Sequence, residues 1–241
     1  MTEYRAGRYR IGIIYEDNHL LVVVKPPNMP VQADSSGDLD MLTALKGYIK
    51  DKYAKPGEVF LGLCHRLDRP VGGVMVLCRT SKSAERLTRQ FAQHTVDKVY
   101  LCAVRGAPEG VLVLEDWLVK DAHGMVRVVA PDAPGAKLAR LEATPLARAG
   151  ELTLMQVRLF TGRSHQIRVQ LSHAGYPLWG DNRYGGGQPG QQIALWATHL
   201  ALDHPTQRDR RMFDCPPPEA EPWQRWRICV KDGIISAEER T

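Results

Sequence analysis

An aspartate between two arginines is the first feature of the sequence that has the character of a chemical site. In GLCHRLDRPVGGVMVL, Asp68 lies between Arg66 and Arg69, and His65 precedes them. Flanking guanidinium groups favour the ionised carboxylate, so we expect Asp68 to be charged at neutral pH. A carboxylate on a connection between strands can act as a nucleophile or a base while arginines hold phosphates. Taken alone, the stretch is more typical of a solvated turn with weak ion pairs.

A second polar cluster follows much later, in FTGRSHQIRVQLSHAG. Gly162 ends a strand, and Ser164 is predicted to cap the next helix. The first turn of that helix carries Arg163, His165, Gln166 and Arg168. The free N–H groups and the dipole of a helix N-terminus attract anions, and two arginines strengthen that attraction. The cluster fits a phosphate or carboxylate site and a merely solvated helix face equally well.

Tyr100 is the third candidate, in the strand-like segment DKVYLCAVRG. A strand places Tyr100 on the face opposite Val99 and Leu101. Tyrosines in such places are most often part of a core. In a nucleic-acid site the same ring can stack on a base.

The segments around these residues read as short strands mixed with helices. IGIIYEDNHLLVVVKPP predicts two strands around a turn at 16–18, after eight polar residues that we expect to be loose. EVFLGLC and GVMVLCRT predict strands on either side of Asp68, and four short strands are predicted between 111 and 160. The segment IALWATHLALDHP fits a helix or a strand.

Helical spacing of apolar residues predicts three helices. They cover 39–53, SKSAERLTRQFAQH with Ser81 as its cap, and SHQIRVQLSHAG with Gly175 as its stop. Strands dominate and alternate irregularly with the helices. This order predicts one α+β domain with a mainly antiparallel sheet.

Composition narrows the function classes without choosing one. The 241 residues carry a net charge of +5, which points weakly to a polyanionic partner and equally suits a basic soluble enzyme. Five scattered cysteines without a C-x-x-C pair argue against a disulfide framework or a zinc site, and fit a reducing cytoplasmic location. We find no apolar signal segment or membrane span, no metal-ligand spacing and no phosphate-loop motif.

Three segments in this order resemble the RluA-type RNA pseudouridine synthases: HRLDRPVGGVMVL, KVYLCAVRG and TGRSHQIRVQLSHAGYPLWGDNRYG. The likeness extends from YEDNHLLVVVKPPNMPV to LALDHP and FDCPPP, which is nearly the whole chain. The combination of H-R-L-D with a distant G-R-x-H-Q-I-R is highly specific. The resemblance implies the α+β pseudouridine synthase catalytic fold, a mainly antiparallel mixed sheet with flanking helices and a central RNA-binding cleft.

The same resemblance implies an enzyme that isomerises uridine to pseudouridine in ribosomal or transfer RNA, with no cofactor and no metal. Asp68 matches the catalytic aspartate of the family. Tyr100 matches the tyrosine that packs against the target base, and Arg168 the basic partner of the aspartate. Arg66 matches the arginine that fills the gap left by the flipped nucleotide. The polar neighbours expected to contact RNA are His65, Arg69, Arg163, His165 and Gln166.

The resemblance also sets expectations for domain organisation. We expect an extension over 1–9, one catalytic domain over 10–232 and a tail over 233–241, without the S4 RNA-binding module of several relatives. A monomer without membrane contact is expected. Two departures stand out. Pro70-Val71-Gly72 stands where many relatives have Thr-Ser-Gly, and Trp196 stands where the family often has histidine.

Two other functions remain open from the residues. A catalytically silent RNA-binding or RNA-folding protein on the same scaffold would keep the basic surface without needing Asp68. A small-molecule hydrolase with Asp68 as nucleophile would show no dependence on RNA and little salt sensitivity. A nucleic-acid partner instead predicts an affinity that falls steeply with salt.

Overall fold

The computed structural model describes residues 1–240, which form two compact units. Unit 1 comprises Met1–Val96 and His199–Cys215. Unit 2 comprises Asp97–Thr198 and the chain from Pro216 onward. No helix within residues 1–240 combines the length and the apolar character that crossing a bilayer requires.

The elements follow one another as strands with three interspersed helices. In the first half they are β1 (Thr2–Ala6), β2 (Tyr9–Glu16), β3 (Leu20–Lys25), α1 (Met41–Lys52), β4 (Gly62–Leu63), β5 (Gly72–Cys78), α2 (Ser81–Ala92), β6 (Asp97–Arg105) and β7 (Leu112–Lys120). In the second half they are β8 (Val126–Val129), β9 (Lys137–Ala149), β10 (Leu152–Leu159), α3 (Gln166–His173), β11 (Leu195–Asp203), β12 (Arg210–Asp214), β13 (Trp226–Lys231) and β14 (Ile234–Glu239).

Unit 1 is built on antiparallel strands in the order β1-β2-β3-β5, with β4 also pairing with β5. The last five residues of β11 pair with β12 in the same unit. β5 is buried at every position, which explains its unbroken apolar sequence. The register sets Lys25 opposite Gly73, so the end of β3 meets the start of β5 just after Asp68.

Unit 2 is built on antiparallel strands in the order β6-β10-β9-β7-β8, and β13 pairs with β14 in a separate hairpin. Helix α3 packs against β7 and β8. Both faces of β6 are buried around Leu101 and Cys102, so β6 is a central strand. The fold is therefore α+β and mostly antiparallel, as the sequence predicts.

Several predictions about local elements are wrong in detail. Residues 2–6, expected to be loose, form β1 against β2. The segment EVFLGLC yields only the two residues of β4. Thr80, not Ser81, caps α2, because the Thr80 hydroxyl accepts the Ser83 N–H and the Ser83 side chain returns a bond. Two further segments are not errors of this kind. IALWATHLALDHP, which fitted a helix or a strand, contributes strand β11, and residues 234–239 of the predicted tail form β14.

Candidate active site

Asp68 lies on the connection between β4 and β5, as the sequence predicts. The turn there closes with a hydrogen bond of 3.0 Å from the Val71 N–H to the Asp68 carbonyl oxygen. Gly72 and Gly73 are the first residues of β5, which begins one residue before the predicted strand GVMVLCRT. The φ of Gly73 is 123°, a region that favours glycine. The turn is therefore short, and the Asp68 side chain is half-buried directly before a rigid central strand.

Lys25 is the most consequential residue of this region that sequence reasoning missed. It ends β3 and is 0% exposed. Its ammonium donates to the carbonyl oxygens of Pro26 (3.1 Å), Arg69 (2.9 Å) and Val71 (2.7 Å). All three ammonium protons are thus used, and two of them fix the backbone just after Asp68. The signal in the sequence was a lysine closing the apolar run VVVK before two prolines.

The Lys25 ammonium is also electrostatically linked to Asp68. Burial lowers the pKa of Lys25 to about 7, the Asp68 carboxylate opposes that shift, and the Arg69 guanidinium adds to it. A buried ammonium is costly unless its protons are accepted and an opposite charge lies near. Lys25 therefore joins the strand, the turn and the carboxylate into one arrangement.

Replacing Lys25 with methionine is expected to loosen the Asp68 turn. Three carbonyl groups, one of them fully buried, would lose their donor, so we expect the free energy of unfolding to fall by about 2 kcal/mol. Any activity that depends on Asp68 should fall as well, since the backbone of Arg69 and Val71 is no longer held. Chemical denaturation and initial rates measure the two effects. Lys50→Met, on the exposed side of α1, is the matched control. Equal stability of the two variants would contradict this role of Lys25.

The residues on either side of Asp68 differ in their surroundings. Arg66 is exposed. His65 accepts the Val76 N–H at Nε2 (3.0 Å) and stacks on Phe91, with ring centroids 4.6 Å apart. This bond leaves the ring proton on Nδ1. His65 thus anchors the connection to β5 and α2.

Arg69 is held by an acidic segment. Its guanidinium donates to Ser36 Oγ (2.8 Å), lies 3.4 Å from an Asp34 oxygen and contacts the Asp38 carboxylate. The two carboxylates belong to the stretch between β3 and α1. Any other anion at Arg69 has to compete with them.

The turn before α3 is shaped by Gln166. Its amide oxygen accepts the Thr161 hydroxyl (2.8 Å) and the Arg163 N–H (3.0 Å), and its amide nitrogen donates to the Arg140 carbonyl (3.0 Å). Gln166 is 3% exposed, so it builds the turn from inside. Ser164 does not cap the helix: the cap position is His165, in the left-handed conformation with φ 52° and no side-chain cap bond.

Arg168 is buried and bound to a partner that the sequence did not predict. Its Nε and Nη2 donate to the two carboxylate oxygens of Asp181 at 2.8 and 2.7 Å. The side chains are 6% and 1% exposed. Burial raises the pKa of Asp181, but the bonds and charge of Arg168 and the N–H groups of Arg183 and Tyr184 outweigh it and lower that pKa.

Asp181 and Tyr184 belong to the loop WGDNRYG, which the sequence linked to the family without giving either residue a role. Gly180 has φ 74°, and a side chain there would collide with the Gln192 carbonyl, so glycine is required before Asp181. The Arg168 guanidinium lies over the Tyr184 ring, with its central carbon 5.2 Å from the ring centroid. The Tyr184 hydroxyl contacts His165 Nδ1 (2.8 Å) and accepts the Val126 N–H (3.0 Å).

Tyr100 is half-buried on β6, opposite Val157 of β10. Lys98 lies two residues earlier, on the same face of the strand. Unit 1 thus links Asp68 and Arg69 to Lys25, and His65 and Arg66 belong to the same connection. In unit 2, Arg163, His165, Gln166 and Arg168 belong to one turn and the start of α3, and Arg168 pairs with Asp181. No group of three potential metal ligands occurs within residues 1–240.

Comparison with known proteins identifies a family and several relatives of this chain. The family profile described as "RNA pseudouridylate synthase" matches residues 19–173. The ribosomal large subunit pseudouridine synthase D of Pseudomonas aeruginosa is 32% identical over 92% of this chain and 72% of its own length. An uncharacterized RNA pseudouridine synthase of Aquifex aeolicus is 34% identical over 87% of this chain and 70% of its own length.

A solved structure shares the fold. Human RNA pseudouridylate synthase domain containing 4 superimposes with a TM-score of 0.71 at 25% identity. The match covers 86% of this chain and 88% of the human chain. The α+β architecture and the sequence motifs therefore agree.

Proposed function

Because the chain belongs to the RNA pseudouridylate synthase family, we propose that it isomerises uridines of large-subunit ribosomal RNA with Asp68 as the reacting carboxylate. As a member of this family, the chain is an RNA pseudouridine synthase. The choice of ribosomal RNA rests on the Pseudomonas aeruginosa relative, whose name states that target. The choice of Asp68 rests on its place in the H-R-L-D motif.

The observation that carries the proposal is how the Asp68 turn is built. A buried ammonium, a backbone hydrogen bond and the start of a fully buried strand all converge on the residues that follow Asp68. A solvated surface turn has no need of a fully buried lysine. Catalytic groups require such preorganisation, because small displacements reduce the rate strongly.

The chemistry explains why a carboxylate is needed. The bond between N1 of uracil and C1′ of ribose must break, the uracil must rotate, and C5 must bond to C1′. The C5 proton then leaves and N1 gains a proton, so the reaction is an isomerisation with no net change in atoms. A carboxylate serves either as a nucleophile at C1′ or as a base at C2′.

Other residues serve the same reaction in this proposal. Tyr100 packs against the target base and assists proton transfer at C5. Arg168 is the cationic partner of Asp68, and the Asp181 salt bridge fixes its orientation. Arg66 is exposed, which suits a residue that enters the RNA stack when the uridine leaves. Unstacking a base costs a few kcal/mol, so such compensation matters.

RNA binding draws on the remaining polar residues. Arg163 and His165 flank the turn before α3, where free N–H groups and the helix dipole favour phosphate. Arg69 contributes as far as phosphates displace Asp34 and Asp38. His65 and Gln166 support the interface indirectly, because their side chains bond within the fold.

The direct test is pseudouridine mapping of total RNA from a deletion strain and its parent. We expect one or a few sites in large-subunit ribosomal RNA to lose the modification completely, since the isomerisation has no competing uncatalysed route on this timescale. Restoring the gene should return the same sites. If the lost sites lie only in transfer RNA, the ribosomal assignment is wrong. If no site is lost and the purified chain modifies no RNA, the catalytic assignment is wrong.

A further inference from the structure

A cationic cavity lies in unit 2, beside the turn that precedes α3. It encloses about 330 Å³. Lys120 at the end of β7, Lys137 at the start of β9, and Gly162, Arg163 and Ser164 of the turn line it. The lining contains three cationic side chains and a hydroxyl but no carboxylate. This set attracts an anion of the size of a phosphate group.

The cations of the cavity are available for a ligand. The exposed side chains of Lys120 and Lys137 form no ion pair or hydrogen bond with any residue from 1 to 240. Arg163 donates from Nε to the Leu138 carbonyl (2.9 Å), which fixes the guanidinium plane and leaves its other nitrogens for a ligand. A guanidinium held in this way loses little entropy when an anion binds.

The nearest acidic residue along the chain is already engaged. Asp121 follows Lys120, and one of its carboxylate oxygens accepts the N–H groups of His123 and Met125, both at 2.9 Å. Its other oxygen lies 3.6 Å from the Arg127 guanidinium. Asp121 therefore folds its own turn and does not neutralise the lysines of the cavity.

A further lysine approaches the same turn. Lys98 is only 9% exposed, and its burial lowers the pKa of its ammonium while the Asp97 carboxylate opposes that shift. A side chain at Gly162 would lie 3.9 Å from Lys98 Nζ, so this ammonium approaches the turn that lines the cavity. Partial desolvation of an ammonium is unfavourable. An anion bound at the turn would offset part of that cost and add to the attraction of the cavity.

We propose that this cavity binds a phosphate of the RNA backbone and so anchors the substrate on unit 2. The inference rests on the proposed function, because it takes RNA as the partner. Lys120, Lys137 and Arg163 supply the positive charge, and Ser164 supplies a hydroxyl donor. The contact carries no sequence information and fixes the register of the RNA on the protein.

The test measures affinity for an unmodified transcript of large-subunit ribosomal RNA as a function of KCl concentration. The variant is Lys120→Ala/Lys137→Ala. We expect its Kd to rise about tenfold near physiological salt, and the slope of log affinity against log salt to fall by about one. Lys120→Arg/Lys137→Arg should retain both values, because it keeps the charge.

The matched control is Lys50→Ala/Lys231→Ala, which removes the same charge from two exposed lysines outside the cavity. An equal loss of affinity in this control would overturn the proposal, because only net charge would then matter. An unchanged Kd in the cavity variant would overturn it as well.

A third arm separates RNA phosphate from free phosphate. If inorganic phosphate raises the melting temperature of the wild type but not of the cavity variant, while RNA affinity is equal in both, the site takes a free anion and the proposal is wrong. Pseudouridine formation by the wild type is measured on the same transcript. If the wild type forms pseudouridine but the cavity substitutions leave RNA affinity unchanged, only the cavity proposal is wrong. If the wild type forms no pseudouridine, the proposed function is wrong.

Discussion

Replacing Asp68 with asparagine is expected to reduce pseudouridine formation at least ~10³-fold while RNA affinity stays within about threefold of the wild-type value. Asparagine keeps the shape of the side chain but removes the charge that a nucleophile or base requires. The expected split between activity and binding follows from the half-buried position of Asp68 and the exposure of Arg66. Single-turnover kinetics and a binding titration on one transcript measure the two quantities.

A suitable control for this change is Asp34→Asn, which removes one negative charge from the segment that contacts Arg69. It should leave the rate of the chemical step close to normal. Full activity of Asp68→Asn would sink the mechanism. If the wild type itself binds RNA but never forms pseudouridine, the chain is a silent RNA-binding protein on the same scaffold. Loss of folding is excluded by comparing the thermal transitions of the variant and the wild type.

The Asp68 turn was predictable because its signal is local. Charged residues between two apolar runs, followed by Pro70 and Gly72, read correctly as a connection between strands. The role of Lys25 was not local. It depends on the antiparallel register that sets Lys25 opposite Gly73, some 48 positions along the chain. The segment VVVKPP carries no information about that register. From the sequence, Lys25 therefore appeared only as the last residue of a strand.

Other differences have comparable physical causes. β11 could not be distinguished from a helix because it is buried on both faces. A continuous apolar run shows neither the helical repeat nor the alternation of a strand. β1 is mostly polar, and its pairing with β2 is not visible in its own side-chain pattern. Arg168 was correctly placed at the start of α3, and its use as a cation for Asp68 stays a prediction. Its partner Asp181 lies in a glycine-rich loop, and residue spacing in a loop does not indicate which way a side chain points.

Replacing Asp181 with asparagine is expected to lower the free energy of unfolding by about 3 kcal/mol, and the melting temperature by roughly 6–12 °C. The change leaves the Arg168 guanidinium buried without its bidentate carboxylate. Pseudouridine formation should fall as well, because Arg168 loses its fixed orientation. Denaturant titrations and initial rates, measured below the lowered melting temperature, separate the loss of stability from the loss of activity.

The loss of stability in Asp181→Asn is expected to depend on pH. The pKa of Asp181 in the folded chain lies below its usual range, so its contribution is present above that range and is lost as acid protonates the folded carboxylate. The stability difference between wild type and Asp181→Asn should therefore shrink in acid.

Asp121→Asn is the matched control, since Asp121 also accepts two backbone N–H groups in a turn but faces the exposed Arg127. It should shift stability clearly less than Asp181→Asn, because an exposed ion pair contributes little. Equal shifts in the two variants would show that the turn hydrogen bonds matter and the buried salt bridge does not. In that case the Tyr184 ring orients the Arg168 guanidinium, and Tyr184→Leu, which removes that ring, should reduce activity more than Asp181→Asn does.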